Sequence, residues 1–248
     1  MKVFVTGSSS VIGTSLLAAL QARGHGAVAF DPQPSSHPLH GVAYFRDDVR
    51  DVDAVDRAAA GCDAGIHLAV RANDHSATGV MTVNVLGAYA FFRAAQRHGF
   101  RSVVLASSAP VHLPSASNDN DDLLRTDAGD TYDLSKKLQE VIAQDFHTHG
   151  LPVICLRFGH VVRGANETTL AGAPLDQLPY CRGGWVALED VVAGCLAALE
   201  SAGPRTFEVY NLVGSWSGRD RFNVAEAEQR LGIRLAYDFS RHEPENEL

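Results

Sequence analysis

The sequence is poor in the residues that would signal several whole classes of protein. Its four cysteines, Cys62, Cys155, Cys181 and Cys195, are widely spaced with no Cys-x-x-Cys pair. Neither a zinc site nor a disulfide framework is signalled, and they read as reduced thiols. Basic residues are outnumbered, 21 Lys and Arg against 29 Asp and Glu, and the formal net charge of -8 offers no attraction to nucleic acid or an anionic membrane. No apolar run is long enough to span a bilayer, and the opening "MKVFVTGSS" lacks the features of a secretory signal. A cytoplasmic location is therefore expected. Internal repeats and low-complexity linkers are also lacking.

What is present is the alternation of a parallel α/β protein. At 248 residues, with 46% hydrophobic residues and 22 glycines, the chain can bury one large core with a small appendage. The apolar runs "KVFVT", "GAVAFD", "VAYF", "AGIHLAV", "RSVVLASS", "LPVICLRF" and "FEVYNLV" read as strands buried on both faces. Between them lie the amphipathic stretches "SVIGTSLLAALQARG", "DVDAVDRAAAG", "VMTVNVLGAYAFFRAAQRHG", "TYDLSKKLQEVIAQDFHTHG" and "LEDVVAGCLAALES", several ending at a helix-capping glycine. The expectation is a Rossmann-like, doubly wound parallel sheet whose core spans residues 1–158. Residues 159–248 are mixed. About 186–213 supply the last helix and strand, while the aperiodic "GHVVRGANETTLAGAPLDQLPYCRGG" and the stretch after "YNLVG" form a small C-terminal substrate-binding cap.

The first turn, "VTGSSSVIG", joins the first strand to the first helix and keeps two glycines, Gly7 and Gly13. There the free N–H groups and positive dipole end of a helix suit a pyrophosphate. Gly7, Ser9, Ser10, Val11, Ile12 and Gly13 are thus candidate cofactor residues. Asp31 closes the second strand, where an acid takes the ribose hydroxyls of NAD and repels a 2'-phosphate, and the following "PQP" has no arginine to receive one. NAD is expected over NADP. Asp48 and Val49, just past the third strand, lie where adenine would sit, with a helix N-cap as the alternative for Asp48. Leu68, Ala69 and Val70, together with Tyr132 and Lys136, complete the candidate cofactor set.

"TYDLSKK" places Tyr132 and Lys136 on one face of a predicted helix. A phenol with an ordinary pKa of about 10 is a poor base at neutral pH; a nearby ammonium stabilises the phenolate, and a drop of roughly three units requires about 4 kcal/mol. The pair alone is a weak signal. It gains weight from "VVLASSAPVH", a strand ending in Ser107 and Ser108. A hydroxyl at that edge can donate to a substrate oxygen while the tyrosine takes its proton.

Together "TGSSSVIG", Asp31, "DDVRD", "HLAV", "NVLGAYAFFRAA", "ASSAPVH", "TYDLSKK", "LRFGHVV" and "WVALEDVV" cover nearly the whole chain. They make it resemble an extended short-chain dehydrogenase/reductase of the NAD-dependent epimerase/dehydratase type, most similar to its short, uronate dehydrogenase-like members. The resemblance implies that Tyr132 is the catalytic base, that Lys136 lowers its pKa and holds the nicotinamide ribose, and that Ser108 positions the reacting oxygen. Asn84 would belong to the active-site hydrogen-bond network, the alternative being a buried, backbone-bonded amide. A homodimer through the helices carrying Asn84 and Tyr132 is also implied. In the extended pattern Ser10 replaces the middle glycine: its Cβ strains the loop if positive φ is needed, or its hydroxyl donates to a phosphate.

The substrate side departs from the family. His160 stands where an asparagine is common, and Ala109 and Pro110 follow the serine where uronate dehydrogenases carry Asn-His. The short chain implies a small substrate. Candidates to contact it are Ser107, Ser108, Ala109 and His160, with Arg71, Arg163 and Arg182 as partners for an anionic group or as surface residues. No metal site is read. The first functional reading is NAD-dependent oxidation of a hydroxyl or hemiacetal carbon of a small sugar, sugar acid or polyol. The alternatives are an epimerase or dehydratase with no net cofactor turnover, and a non-catalytic dinucleotide-binding regulator, which the presence of both Tyr132 and Lys136 disfavours.

Overall fold

Short strands with almost every position buried need cover on both faces, and helices between them supply it. The computed structural model describes residues 1–71, 76–109, 131–178, 184–203, 206–214 and 222–242. Cys181 and the predicted substrate residue Arg182 lie outside them. In chain order the strands are β1 (Lys2–Thr6), β2 (Gly26–Phe30), β3 (Ala43–Phe45), β4 (Ala64–His67), β5 (Val103–Ser108), β6 (Val153–Phe158), β7 (His160–Arg163), β8 (Thr168–Thr169), β9 (Trp185–Ala187) and β10 (Phe207–Leu212). Seven of these form one sheet in the order β10-β6-β5-β4-β1-β2-β3, each adjacent pair parallel. The winding reverses between β1 and β4, so a crevice opens at their C-terminal ends.

Successive side chains point to opposite faces and divide the core in two. Val3 and Val5 pack with Leu16, Leu17 and Leu20 of α1 (Val11–Ala22), with α6 (Leu188–Ser201) and with α7 (Val224–Leu231). Phe4, between them, packs with α2 (Val52–Ala59), α4 (Gly87–Arg97) and α5 (Thr131–Thr148). Gly65 of β4 is a packing glycine, since a Cβ there would lie 2.7 Å from the Phe91 ring and 2.8 Å from that of Phe100.

Two features differ from the sequence expectations. The long stretch from Val80 to Gly99 read as one helix, but α3 (Ala77–Met81) passes into α4 through a π-helical turn, Thr82–Leu86. Ser76 caps α3, accepting from Gly79 N at 3.2 Å. One extra residue per turn leaves no mark on a hydrophobic pattern. The two stretches read as irregular contain β7 and β8, which with the adjoining β9 form a second sheet in the order β8-β7-β9, and α7. Strands of two to four residues are too short to show a period of two. Buried Asp190 fastens the end of the chain over this sheet, its two carboxylate oxygens accepting from Ala236 N at 2.8 Å and Tyr237 N at 3.3 Å. Among the described residues no helix is long and apolar enough to cross a membrane.

Candidate active site

The glycine turn packs too tightly for side chains at its ends. Gly7 has φ +69, and a Cβ there would lie 2.7 Å from Ala69 N; a Cβ on Gly13 would lie 2.4 Å from Gly7 O. Ser10 needs no glycine. Its φ of -67 and ψ of 164 are extended, and it is the N-cap of α1, accepting from Gly13 N at 3.0 Å while its hydroxyl donates to Gly7 O at 2.8 Å. Both roles considered for Ser10, strained substitute and phosphate donor, are therefore corrected: the backbone is unstrained and the proton is already committed. With Gly13 N satisfied, the N–H groups of Val11 and Ile12 are those of the first turn left without an intrahelical acceptor. No acidic side chain lies in that turn. The positive end of the dipole faces the crevice uncompensated, as a pyrophosphate requires.

Beside it the crevice is lined by Asp31, Asp48, Val49, Leu68, Ala69, Val70 and Arg71. Asp31 stands at the end of β2, where Ser9 N donates to one carboxylate oxygen at 3.1 Å and Gln33 N to the other at 2.8 Å. Each oxygen retains a lone pair for a ribose hydroxyl. Asp48 is not a helix cap. Asp51 caps α2, while both oxygens of Asp48 are held by Arg50 at 2.9 and 2.6 Å, which keeps its carboxyl below the ordinary range. Arg71 lines the same crevice, its charge also favouring ionised Asp48.

The predicted chemistry residues come from β5 and α5. Lys136 is 3% exposed; its Nζ donates to Ala106 O at 2.7 Å and lies 5.8 Å from the Tyr132 ring centroid. Burial pulls its pKa down to about 8, and the Glu140 carboxylate one turn away opposes that shift. Ser108 ends β5 at the sheet edge and is 8% exposed. Asn84, in the π turn, is fully engaged: Oδ1 accepts from Arg71 N at 2.7 Å, and Nδ2 donates to Arg71 O at 3.1 Å and Ser135 Oγ at 2.8 Å. It is a buried, backbone-bonded amide, and through Ser135 it links the segment after β4 to the helix of Tyr132.

Other substrate-side assignments need correction. Ser107 points to the opposite face from Ser108 and donates to buried Glu140 at 2.5 Å. Ala109 is 0% exposed within the core. Neither side chain is offered to a substrate. His160 is exposed on β7, and Arg163, on the same strand, reaches Leu170 O at 3.5 Å. The functional neighbourhood also contains residues that the sequence reading missed. Arg157 of β6 donates to Glu140 at 2.7 and 2.6 Å with both side chains fully buried. His67 of β4 shares a 2.8 Å hydrogen bond with Thr6, and burial holds it neutral, its pKa lowered to about 3. Charged letters at strand and helix positions read as apolar were the available signal for Glu140 and Arg157.

A switch-point crevice, an open helix N-terminus, an acid after β2 and a buried lysine beside a tyrosine define a dinucleotide-binding domain of the Rossmann class. The NAD dependent epimerase/dehydratase family matches residues 3–171, and the chain belongs to that family. It is 27% identical over 250 residues to L-arabinose 1-dehydrogenase (NAD(P)(+)) of Haloferax volcanii, covering 94% of this chain and 95% of the relative. Over 114 residues it is 31% identical to uronate dehydrogenase of Pseudomonas syringae pv. tomato, covering 45% of this chain and 42% of that enzyme. A short-chain dehydrogenase/reductase superfamily protein from Agrobacterium tumefaciens with bound NAD has the same fold, with a TM-score of 0.72 at 23% identity over 86% of this chain and 78% of its own.

The capping role of Ser10 is testable. Ser10→Ala should lower stability by about 1 kcal/mol and Ser10→Gly by only a few tenths, read from urea midpoints. Because the hydroxyl is already donated, neither change should move NADH affinity by more than about threefold; a larger loss would restore the phosphate contact.

Proposed function

We propose that the protein is an NAD-dependent oxidoreductase that oxidises a hydroxyl or hemiacetal carbon of a small sugar, sugar acid or polyol. The observation that carries this reading is the buried Lys136 ammonium beside Tyr132, on a helix that meets the edge of β5 bearing Ser108. The sugar dehydrogenases among its relatives favour oxidation over a nucleotide-sugar role. The residues present fit NAD: Val11 and Ile12 N–H for the pyrophosphate, Asp31 for the adenosine ribose, Asp48, Val49 and Leu68 to Val70 lining the remaining crevice. Bound NAD supplies the hydride acceptor. Tyr132, as phenolate, takes the hydroxyl proton of the substrate; Ser108 donates to the same oxygen and orients it; Lys136 holds the phenolate at neutral pH. In this reading the small β8-β7-β9 sheet is the substrate cap, with His160 and Arg163 of β7 on the sugar side. The buried, reduced Cys62, Cys155 and Cys195 support a cytoplasmic location, which cell fractionation checks.

Tyr132→Phe should bind NADH as the parent does yet lose about 100-fold or more of kcat in a panel of aldoses, uronates and polyols followed by NADH formation. Full activity in the variant would sink the assignment, and a product formed without NADH accumulation would favour epimerisation. The pH dependence has a defined sign. Lys136 is cationic below about 8 and loses its proton above, so kcat/KM should fall on the alkaline side with a limb near that pH. A rate rising undiminished to roughly pH 10 would remove Lys136 from this role.

A homodimer belongs to the same proposal. Leu86, Tyr89, Leu134 and Val141 are 40 to 46% exposed along α4, its preceding turn and α5, large apolar groups that a second copy of this face would cover. Tyr89→Glu with Val141→Glu should halve the mass seen by sedimentation; a monomeric parent would end the idea.

A further inference from the structure

The family's reading of the site stops at Ser108, Tyr132 and Lys136, yet the most heavily invested polar cluster in the described chain lies directly behind them. Glu140 and Arg157 are both 0% exposed, joined through two hydrogen bonds of 2.7 and 2.6 Å. Ser107 adds a third, donating to the same Glu140 oxygen that accepts from Arg157 Nε. Taking two charges out of water is costly, and a well-packed apolar pair of the same volume is often as stable or more so. Stability alone therefore gives no reason for an ion pair at this place.

Its position does. Glu140 lies one turn beyond Lys136 on the same face of α5, so two successive turns grip two successive residues of β5: Lys136 on the Ala106 carbonyl at 2.7 Å, Glu140 on the Ser107 hydroxyl at 2.5 Å. The next residue of the strand is Ser108. We propose, on the basis of the functional reading above, that Glu140 is a positioning residue for the active site: it clamps the serine edge of β5 to the helix of Tyr132 and supplies the buried negative charge opposite the Lys136 ammonium. Arg157 in turn keeps Glu140 ionised in a dry site.

The charges around Lys136 support the assignment. On its own helix stand Tyr132 and Glu140, and β4 presents His67; Cys155 and Arg157 of β6 stand beside Glu140. His67 is neutral, with a pKa lowered to about 3 by burial, and burial raises the Cys155 thiol so that it stays protonated. Among the described residues, Glu140 is the anion acting on Lys136. Without it, desolvation would act on the lysine unopposed, and desolvation favours the neutral form.

The test replaces the pair together, Glu140→Leu with Arg157→Met, so that no charge is left buried alone. Two readouts are followed: the pH profile of kcat/KM, and ionisation of Tyr132 by tyrosinate absorbance, isolated by difference from Tyr132→Phe in each background. The expected result is a folded protein whose alkaline limb moves to lower pH, and whose Tyr132 transition moves to higher pH, by about one unit or more. A folded variant with both transitions at parental positions overturns the proposal. The absorbance titration needs no substrate, so a shifted transition in a protein without sugar dehydrogenase activity would uphold this inference while ending the functional reading. Should the double variant not fold, Ser107→Ala leaves the ion pair intact and removes the grip on β5. It should lower kcat about tenfold with KM and NADH affinity nearly unchanged, and an unchanged kcat refutes the clamp.

Discussion

The reversal of winding between β1 and β4 is the constraint from which the rest follows. Parallel strands on either side of that point send their connecting helices to opposite faces, and the C-terminal ends of β1 and β4 are left with no crossover above them. The lining proposed for the adenosine half of the cofactor gathers at this gap: Gly7 leaves β1, Leu68 to Val70 leave β4, and Asp31 and Asp48 approach from the ends of β2 and β3. The two glycines that remain in the first turn are required by this closeness. Gly7 passes within van der Waals distance of the backbone after β4, and Gly13 lets the first turn of α1 sit against Gly7 itself.

The catalytic candidates stand at a second junction, between β5 and α5, and there the organisation is electrostatic. A lysine that is 3% exposed would release its proton in an apolar site. Here a line of alternating charge, Lys136, Glu140 and Arg157, runs from α5 into the sheet: Lys136 is bonded to the Ala106 carbonyl, and Glu140 to the Ser107 hydroxyl and to Arg157. Such a network is costly to break at one member and tolerable to replace as a whole. It joins the packing problem of a two-faced sheet to the problem of keeping a lysine charged in a buried place.

Ser10 shows how a motif can depart from its pattern without losing its use. Where a glycine is usual, serine adopts an ordinary extended backbone and caps the helix whose N-terminus is proposed to face the pyrophosphate. The same accounting resolves Asn84, whose two amide atoms are spent on the Arg71 backbone and on Ser135. In each case the side chain's own hydrogen bonds decide its role.

The sequence by itself determined the alternation of strands and helices, because segments buried on both faces must be apolar throughout, and it determined the places of Gly7, Gly13, Asp31, Ser108, Tyr132 and Lys136, because these lie at local motifs with fixed offsets from a strand end or within one helical turn. It left β7 to β9 hidden, since strands of two to four residues carry no period and β7 finds its parallel partner β9 beyond the intervening segment, and it left α7 hidden within a stretch read as irregular. Tertiary structure alone decided that Ser107 is turned to Glu140 while Ser108 lies on the opposite face of the strand, that Ala109 is core, and that Arg71 lines the crevice with Asp48. The physical reason is the same throughout: a side chain's facing and charge partners depend on which strand lies next to which, and neighbours in this sheet are joined across dozens of residues that no local pattern spans.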